Sequence, residues 1–361
     1  MWLMKSSAIM WFRQDLRLAD HPALCAAAAA GEVLPVYVLD DETPGAWPMG
    51  AASRWWLHHS LAKLMERVPL ILRRGAADRV LDDLLRDTGA MAIYFTRGYA
   101  PWSGNLERRV KEKAGAHGAT VQRYGGFLLH EPETIRNGSG EAYKVYTPFA
   151  RACFAAGEPK PPRAAPELRW WRGTTASDSL ADLKLLPVKP NWASGFEGHW
   201  QPGEVGARQR LAAFLAEGLA GYATGRDEPA LTVTSRLSPH LQSGEISPAE
   251  LWRATRDAAA RAGGRLDGAA EKFLKEVLWR EFSYHLLHHF PHIPEHAFKP
   301  EFEAFPWRND GESLRRWQRG LTGYPIVDAG MRELWSTGTM HNRVRMIAAS
   351  FLIKDLLIDW R

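Results

Sequence analysis

Cysteine is nearly absent from this 361-residue chain: only Cys25 and Cys153 occur, far apart and outside any Cys-x-x-Cys spacing. That rules out a disulfide framework and a cysteine-built zinc site, so no metal is expected and a reducing cytoplasm fits best. The opening MWLMKSSAIMWF is too short, and too soon followed by Arg13, Asp15 and Arg17, to be a signal peptide or a membrane span. It reads as a first strand, and no membrane partner is expected. No GxGxxG follows that strand, so the ordinary dinucleotide fingerprint is missing. Neither HIGH nor KMSKS appears, which sets aside a class I aminoacyl-tRNA synthetase. Charge of one sign is also scarce, because 46 Lys and Arg stand against 41 Asp and Glu. The net charge of +5 is only a weak pull toward polyanions.

What is present is a chain long enough for two domains, with 45% hydrophobic and 24% charged residues. Sixteen tryptophans are several times the ordinary share, although any single indole can be explained by packing. Short apolar runs at 8–12, 33–39, 70–72, 92–95 and 120–124 alternate with helical patterns at 23–30, 53–67, 77–87 and 104–116. Strand followed by helix, repeated, implies an α/β domain with a parallel sheet of about five strands over residues 1–130. Ligands of such a sheet belong beyond the carboxyl ends of its strands. Residues 131–201 are rich in Pro, Gly and charge without sustained periodicity, and read as an interdomain connector that carries Tyr146, Phe149, Trp170, Trp171 and Trp192. Residues 202–361 read as all-helical, with a last helix expected over 342–360.

Three polar clusters stand out in the helical half. Tyr222, Arg226 and the run Thr234, Ser235, Arg236, Leu237, Ser238 offer hydroxyls, free backbone N–H groups and a guanidinium, the groups a phosphate needs. Taken alone, such a run is more often a helix cap than a phosphate site. Helical spacing puts Glu276, Trp279, Arg280 and Ser283 on one face, where Glu276 and Arg280 would otherwise be a solvated i,i+4 pair. The indole between them offers a stacking platform for a base. Asn342, Arg345 and Met346 share a further face beside Arg343, with an amide suited to a planar heterocycle and arginines suited to phosphates.

The order and wording of WFRQDLRLADHPAL, YTPF, TSRLSPHLQSGEISP, EVLWREF, GYPIVDAGMREL and MHNRVRMIAASFLIKDLLIDWR closely resemble the photolyase and cryptochrome family over nearly the whole chain. The resemblance implies a Rossmann-like antenna domain followed by an all-helical domain that holds FAD. It also implies a flipped-out pyrimidine dimer of damaged DNA as substrate. Tyr222 and Thr234, Ser235, Arg236, Leu237 and Ser238 match FAD-contacting positions, as do Arg280 and Arg345. Arg226 matches a position facing damaged DNA, and Asn342 and Arg343 match residues between flavin and lesion. Glu276 matches the carboxylate that hydrogen-bonds the dimer, Trp279 an indole packed against it, and Met346 a methionine lining the lesion pocket. Trp307 and Trp360 match the distal and middle members of an electron-carrying tryptophan chain.

The implied activity is that of a deoxyribodipyrimidine photo-lyase, with light-driven electron transfer from reduced FAD splitting cyclobutane dimers. The set Glu276, Trp279, Asn342, Met346 favours these over 6-4 photoproducts. LKLLPVKPNW and HWQPGE resemble the bacterial class III branch. Residues 99–103 lack the acidic residue many folate-binding members use, so a methenyltetrahydrofolate or deazaflavin antenna stays open. A cryptochrome-like photoreceptor and a flavin-free DNA-binding remnant are the alternatives, and a monomer is expected. The last apolar stretch runs to Arg361 with no Gly, Pro or cap, where family members continue. The reading therefore expects a chain cut short, with little repair activity by itself.

Overall fold

The computed structural model describes residues 7–361; the part of the expected first strand before Ser7 lies outside them. Five strands, β1 Ser7–Phe12, β2 Glu32–Leu39, β3 Ile71–Arg74, β4 Ala92–Thr96 and β5 Thr120–Tyr124, form one parallel sheet in the order β3-β2-β1-β4-β5. Alternation along β1 divides the core in two. Ala8, Met10 and Phe12 join Leu24 of α1 (Pro22–Ala30) and Leu61 of α2 (Ala51–Met65). Ile9 and Trp11 face the other way, onto Leu81 and Leu84 of α3 (Ala77–Thr88) and Val110 of α4 (Ser103–Ala116). Both faces are thus covered, as a parallel sheet requires.

The charged run after β1 is a built loop. Asp15 and His21 are fully buried 3.1 Å apart, and His21 Nδ1 accepts the Leu24 N–H at the start of α1, which puts the ring proton on Nε2, toward Asp15. Arg13 lies over the rings of Trp11 and Phe95 and pairs with Glu107 at 2.7 Å. A Cβ on Gly98 would stand 2.6 Å from the Arg13 guanidinium. Protein side chains therefore fill the crevice beyond β1 and β4, where the sheet alone pointed to a ligand.

The connector contains a helix the periodicity did not show: α5, Tyr146–Ala155, buries Phe149, Ala150 and Cys153 in the helical core. That core is completed by α6 (Glu204–Ala213), α7 (Leu219–Gly225), the short α8 (Ser238–Ser243), α9 (Pro248–Arg261) and α10 (Asp267–His289). Between α6 and α7 the chain widens into a π-helical turn, Phe214–Gly218, in which a Cβ on Gly218 would stand 2.8 Å from the Phe214 ring. A smaller cluster of Val327, Met331, Met340 and Val344, with Trp317 packed against it, holds α11 (Gly311–Gln318), α12 (Pro325–Thr337) and α13 (Asn342–Ser350). Among the described residues no helix is long and apolar enough to cross a membrane.

The last helix is shorter than expected. α13 stops at Ser350, a π-helical turn covers Phe351–Asp355, and Leu357 takes φ +55°. Two backbone bonds favour this path: the Arg308 N–H donates to Leu357 O at 2.7 Å, and the Ile358 N–H to Leu352 O at 3.1 Å. Trp360 is therefore off the helix that sequence spacing assigned it to.

The sheet and the helical bundle meet at a polar joint. Arg17, 1% exposed, donates to the carbonyls of Ala19, Asp20, Gly126 and Gly244. Glu204 accepts the Leu18 and Ala19 N–H groups, and Leu16 N–H reaches Ser243 O at 3.2 Å. Gly244 sits at φ +67°, and a Cβ there would meet Gln14 O at 2.0 Å, so only glycine admits this approach.

Candidate functional site

Helix α10 presents Glu276, Trp279 and Arg280, but their partners differ from what spacing alone allows. Glu276 and Arg280 form no i,i+4 pair. Glu276 pairs instead with Arg226 at the end of α7. Arg280 turns inward, donates to Phe127 O at 2.9 Å, and lies over the rings of Phe127 and Tyr284 at 4.3 and 5.2 Å. Trp279 is stacked on Tyr146 of α5 at 3.7 Å and 6°, with Phe282 edge-on to both rings. The indole remains 45% exposed, so the stack is a platform open to solvent on the Trp279 side.

Arg226 is buried at 8% exposure, its guanidinium 5.4 Å over Tyr222. Burial works against its charge, yet the bond to Glu276 and the nearness of Tyr222 and Asp227 hold its pKa above the ordinary value. Asp227 in turn accepts from Arg343 of α13 at 2.9 Å, and that hydrogen bond lowers its own pKa. The result is an alternating chain, Glu276, Arg226, Asp227, Arg343, that ties α10, α7 and α13 together. Next to it Asn342, Arg345 and Met346 are exposed on the first turns of α13, where His341 Nδ1 caps the helix by accepting the Arg343 N–H. The Met346 sulfur lies 3.4 Å from Arg343. Sequence reasoning missed Asp227, whose only signal was its position directly after Arg226, and it missed Tyr146 as the partner of Trp279 although YTPF stood out.

Asp227 occupies the two arginines, so Asp227→Asn should release them toward an anionic partner. We expect tighter DNA binding at low salt and a salt dependence steeper by about one phosphate contact. Titration of an oligonucleotide at several salt concentrations checks this, and an unchanged slope would contradict it.

Residues 231–233 lie along the glycine face of α7: Cβ atoms on Gly221 and Gly225 would meet the Val233 side chain at 3.3 and 3.1 Å. This brings the following run beside α7 and Tyr222, whose ring is buried against Phe214 and Phe273 and whose hydroxyl is pushed up to about 12 by burial. Leu237 is buried and anchors the run, and the Ser235 hydroxyl accepts the Leu237 N–H at 3.4 Å. Arg236 takes φ +51°, is exposed, and has no carboxylate partner among the described residues. Burial and the neighbouring Arg236 both lower the pKa of Arg210. Arg236, with no carboxylate partner and with the hydroxyls of Thr234 and Ser238 in the same run, fits an anionic group such as a diphosphate. Arg345 likewise has no acidic partner among the described residues.

Trp307 and Trp360 are brought to one corner of the molecule by the 308–357 backbone bond, but their rings do not touch. Trp307 packs on Phe305 at 4.4 Å, and Trp360 is half exposed beside the Arg361 guanidinium. Two buried titratable groups on α10 also escaped the sequence reading. Glu281 is 2% exposed and accepts the Leu129 and His130 N–H groups, while burial pushes its carboxyl up to about 7. His285, one turn on, accepts the Tyr143 N–H, and burial lowers it to about 4.

The family model described as DNA photolyase matches residues 8–167, and that described as the FAD binding domain of DNA photolyase matches residues 273–361. The deoxyribodipyrimidine photo-lyase of Agrobacterium fabrum is 47% identical over all of this chain and 76% of its own length. Cryptochrome-2 of Arabidopsis thaliana is 35% identical over 99% of this chain, which spans 61% of it. The crystal structure of a bacterial class III photolyase from Agrobacterium tumefaciens superposes with a TM-score of 0.95 at 48% identity, covering all of this chain and 75% of that one.

Proposed function

Because the chain belongs to the DNA photolyase and cryptochrome family, we propose that it is a light-dependent lyase that repairs cyclobutane pyrimidine dimers in DNA with FAD as cofactor. The carrying observation is that Glu276, Trp279, Arg226, Arg343 and Met346, drawn from α10, α7 and α13, are brought together by the Glu276–Arg226–Asp227–Arg343 chain, on the same helix α7 that residues 231–233 lie along. Residues 1–130 act as the antenna domain, 131–201 as the connector and 202–361 as the FAD-binding domain.

When bound in its reduced form, FAD supplies an electron on absorbing light. The residues do the rest. Thr234, Ser235, Arg236 and Ser238 would hold the diphosphate, while Tyr222, Arg280 and Arg345 would line the same cofactor site. Trp279, backed by Tyr146, stacks against the extruded dimer and replaces part of the stacking that flipping removes. Glu276 hydrogen-bonds the dimer once Arg226 yields, and Asn342 supplies amide hydrogen bonds to the same group. Arg343 exchanges Asp227 for a DNA phosphate. Trp307 and Trp360, held at one corner by the 308–357 bond, would carry electrons from an external reductant toward the cofactor.

The test is an oligonucleotide carrying one dimer, incubated with FAD-loaded, chemically reduced protein in light and in darkness. Loss of the dimer in light alone is expected, in place of the low activity that the sequence reading assigned to this chain. Bound, reduced flavin with no loss of dimer in light would overturn the repair reading and favour a photoreceptor.

A further inference from the structure

The joint between the sheet and the helical bundle reaches the segment assigned to the cofactor phosphates. Glu245 is fully buried, and its carboxylate is shared by four donors. The Trp56 indole N–H donates at 3.0 Å and the Ser60 hydroxyl donates beside it, both from α2 of the sheet half. The Gly203 N–H donates at 2.7 Å. The fourth is His240 Nδ1. A carboxylate surrounded by donors can only accept, so the His240 proton sits on Nδ1. His240 is itself buried, edge-on to Trp56 at 5.0 Å, on the six-residue helix α8. That helix begins at Ser238, where residues 234–238 end. Its far end is held by Leu16 through Ser243, by Arg17 through Gly244, and by the close approach of Gly244 to Gln14.

The phosphate segment therefore hangs from a short helix whose side and far end are fixed by the other half of the molecule. Six residues make too little helix to hold a position by themselves. We propose that Glu245 is a positioning residue for residues 234–238, acting through His240, and that the sheet half thereby sets the affinity for the diphosphate part of the cofactor. The proposal rests on the reading of 234–238 as the phosphate-binding segment. Glu245 touches no cofactor atom in this scheme. It fixes the direction in which the hydroxyls and Arg236 point, and a charge-assisted hydrogen bond to an anion weakens steeply once its geometry is lost.

A merely structural role would cost all flavins alike, whereas positioning of the phosphate segment discriminates among them. FAD and riboflavin share the ring system, and riboflavin has no phosphate. Their affinities are to be measured by flavin fluorescence titration for the unaltered protein and for Glu245→Ala, His240→Ala and His240→Asn, alongside thermal melts. Glu245→Ala and His240→Ala should lose FAD affinity about tenfold or more, with riboflavin affinity changed by less than about twofold. His240→Asn keeps an N–H at the Nδ1 position and should restore most of the loss. Equal losses for both flavins, or no loss, would overturn the proposal. An unaltered protein that binds riboflavin as tightly as FAD would instead overturn the reading of 234–238. Should Glu245→Ala fail to fold, the contrast between the two His240 variants still decides.

Discussion

Trp279→Ala is expected to weaken binding of dimer-containing DNA by about 1–3 kcal/mol, roughly 5- to 150-fold, with a much smaller loss on undamaged duplex. The size follows from what the indole does. It is stacked on Tyr146 at 3.7 Å, so its position is fixed before substrate arrives and little side-chain entropy is lost on binding. Its exposed face can then take an extruded base. Trp279→Phe keeps a smaller ring and should retain most of the discrimination. Anisotropy titrations at one fixed salt concentration measure both, because phosphate contacts by the arginines would otherwise mask the difference. Equal losses on damaged and undamaged DNA would make Trp279 a general surface contact.

Glu281→Gln should change the pH dependence of stability by about 3 kcal/mol. Glu281 titrates near 7 in the folded protein because burial disfavours its charge, against about 4.5 for an unburied carboxyl. The folded state thus holds its proton more tightly than the unfolded state. Its contribution is fully present below about pH 4.5 and is lost as pH rises through 7. His285, lowered to about 4 by burial, has the opposite sign: its neutral form suits the fold, so stability is lost as pH falls below 6.5 toward 4. Between those limits the two slopes oppose each other and the unaltered protein should show a shallow profile. The glutamine variant keeps an acceptor for the Leu129 and His130 N–H groups, removes one slope, and should be more stable than the parent above pH 7. Thermal melts from pH 5 to 8.5 report this directly, and parallel profiles for the two proteins would refute it.

Much of the fold was legible because it is written in local periodicity. The five strands and α1 to α4 lie within a few residues of where alternation and helical spacing put them, since each element buries a face that repeats every two or about 3.6 residues. Helix α5 was hidden because it carries Pro148 in its first turn and sits among Pro-rich neighbours, so its Phe149 and Cys153 read as scattered apolar residues. The end of α13 was misjudged for a different reason. Residues 356–360 have helical spacing, and only bonds to Arg308 and Leu352 draw them off that path. In the site, Glu276, Trp279, Arg226 and Arg343 were visible as residue types, but their pairing was not. Nothing in sequence distance shows that Asp227 joins two helices, or that Glu245 is reached by Trp56 from 189 residues away. Such contacts are set by tertiary packing, which a pattern along the chain does not record.

The π-helical turn at residues 214–218 amounts to one extra residue accommodated within a helix, and it shifts the phase of everything after it by about 100°. Tyr222 enters the core and Arg226 meets Glu276 only in that shifted phase. The segment is consequently more sensitive to length than to side-chain identity. Conservative exchanges of Leu215 or Glu217 would leave the mouth of the site in register, whereas loss of a single residue anywhere in the turn would restore an uninterrupted helix and swing both groups off their partners. For this stretch of the gene, a three-nucleotide deletion is the more damaging lesion than most missense changes.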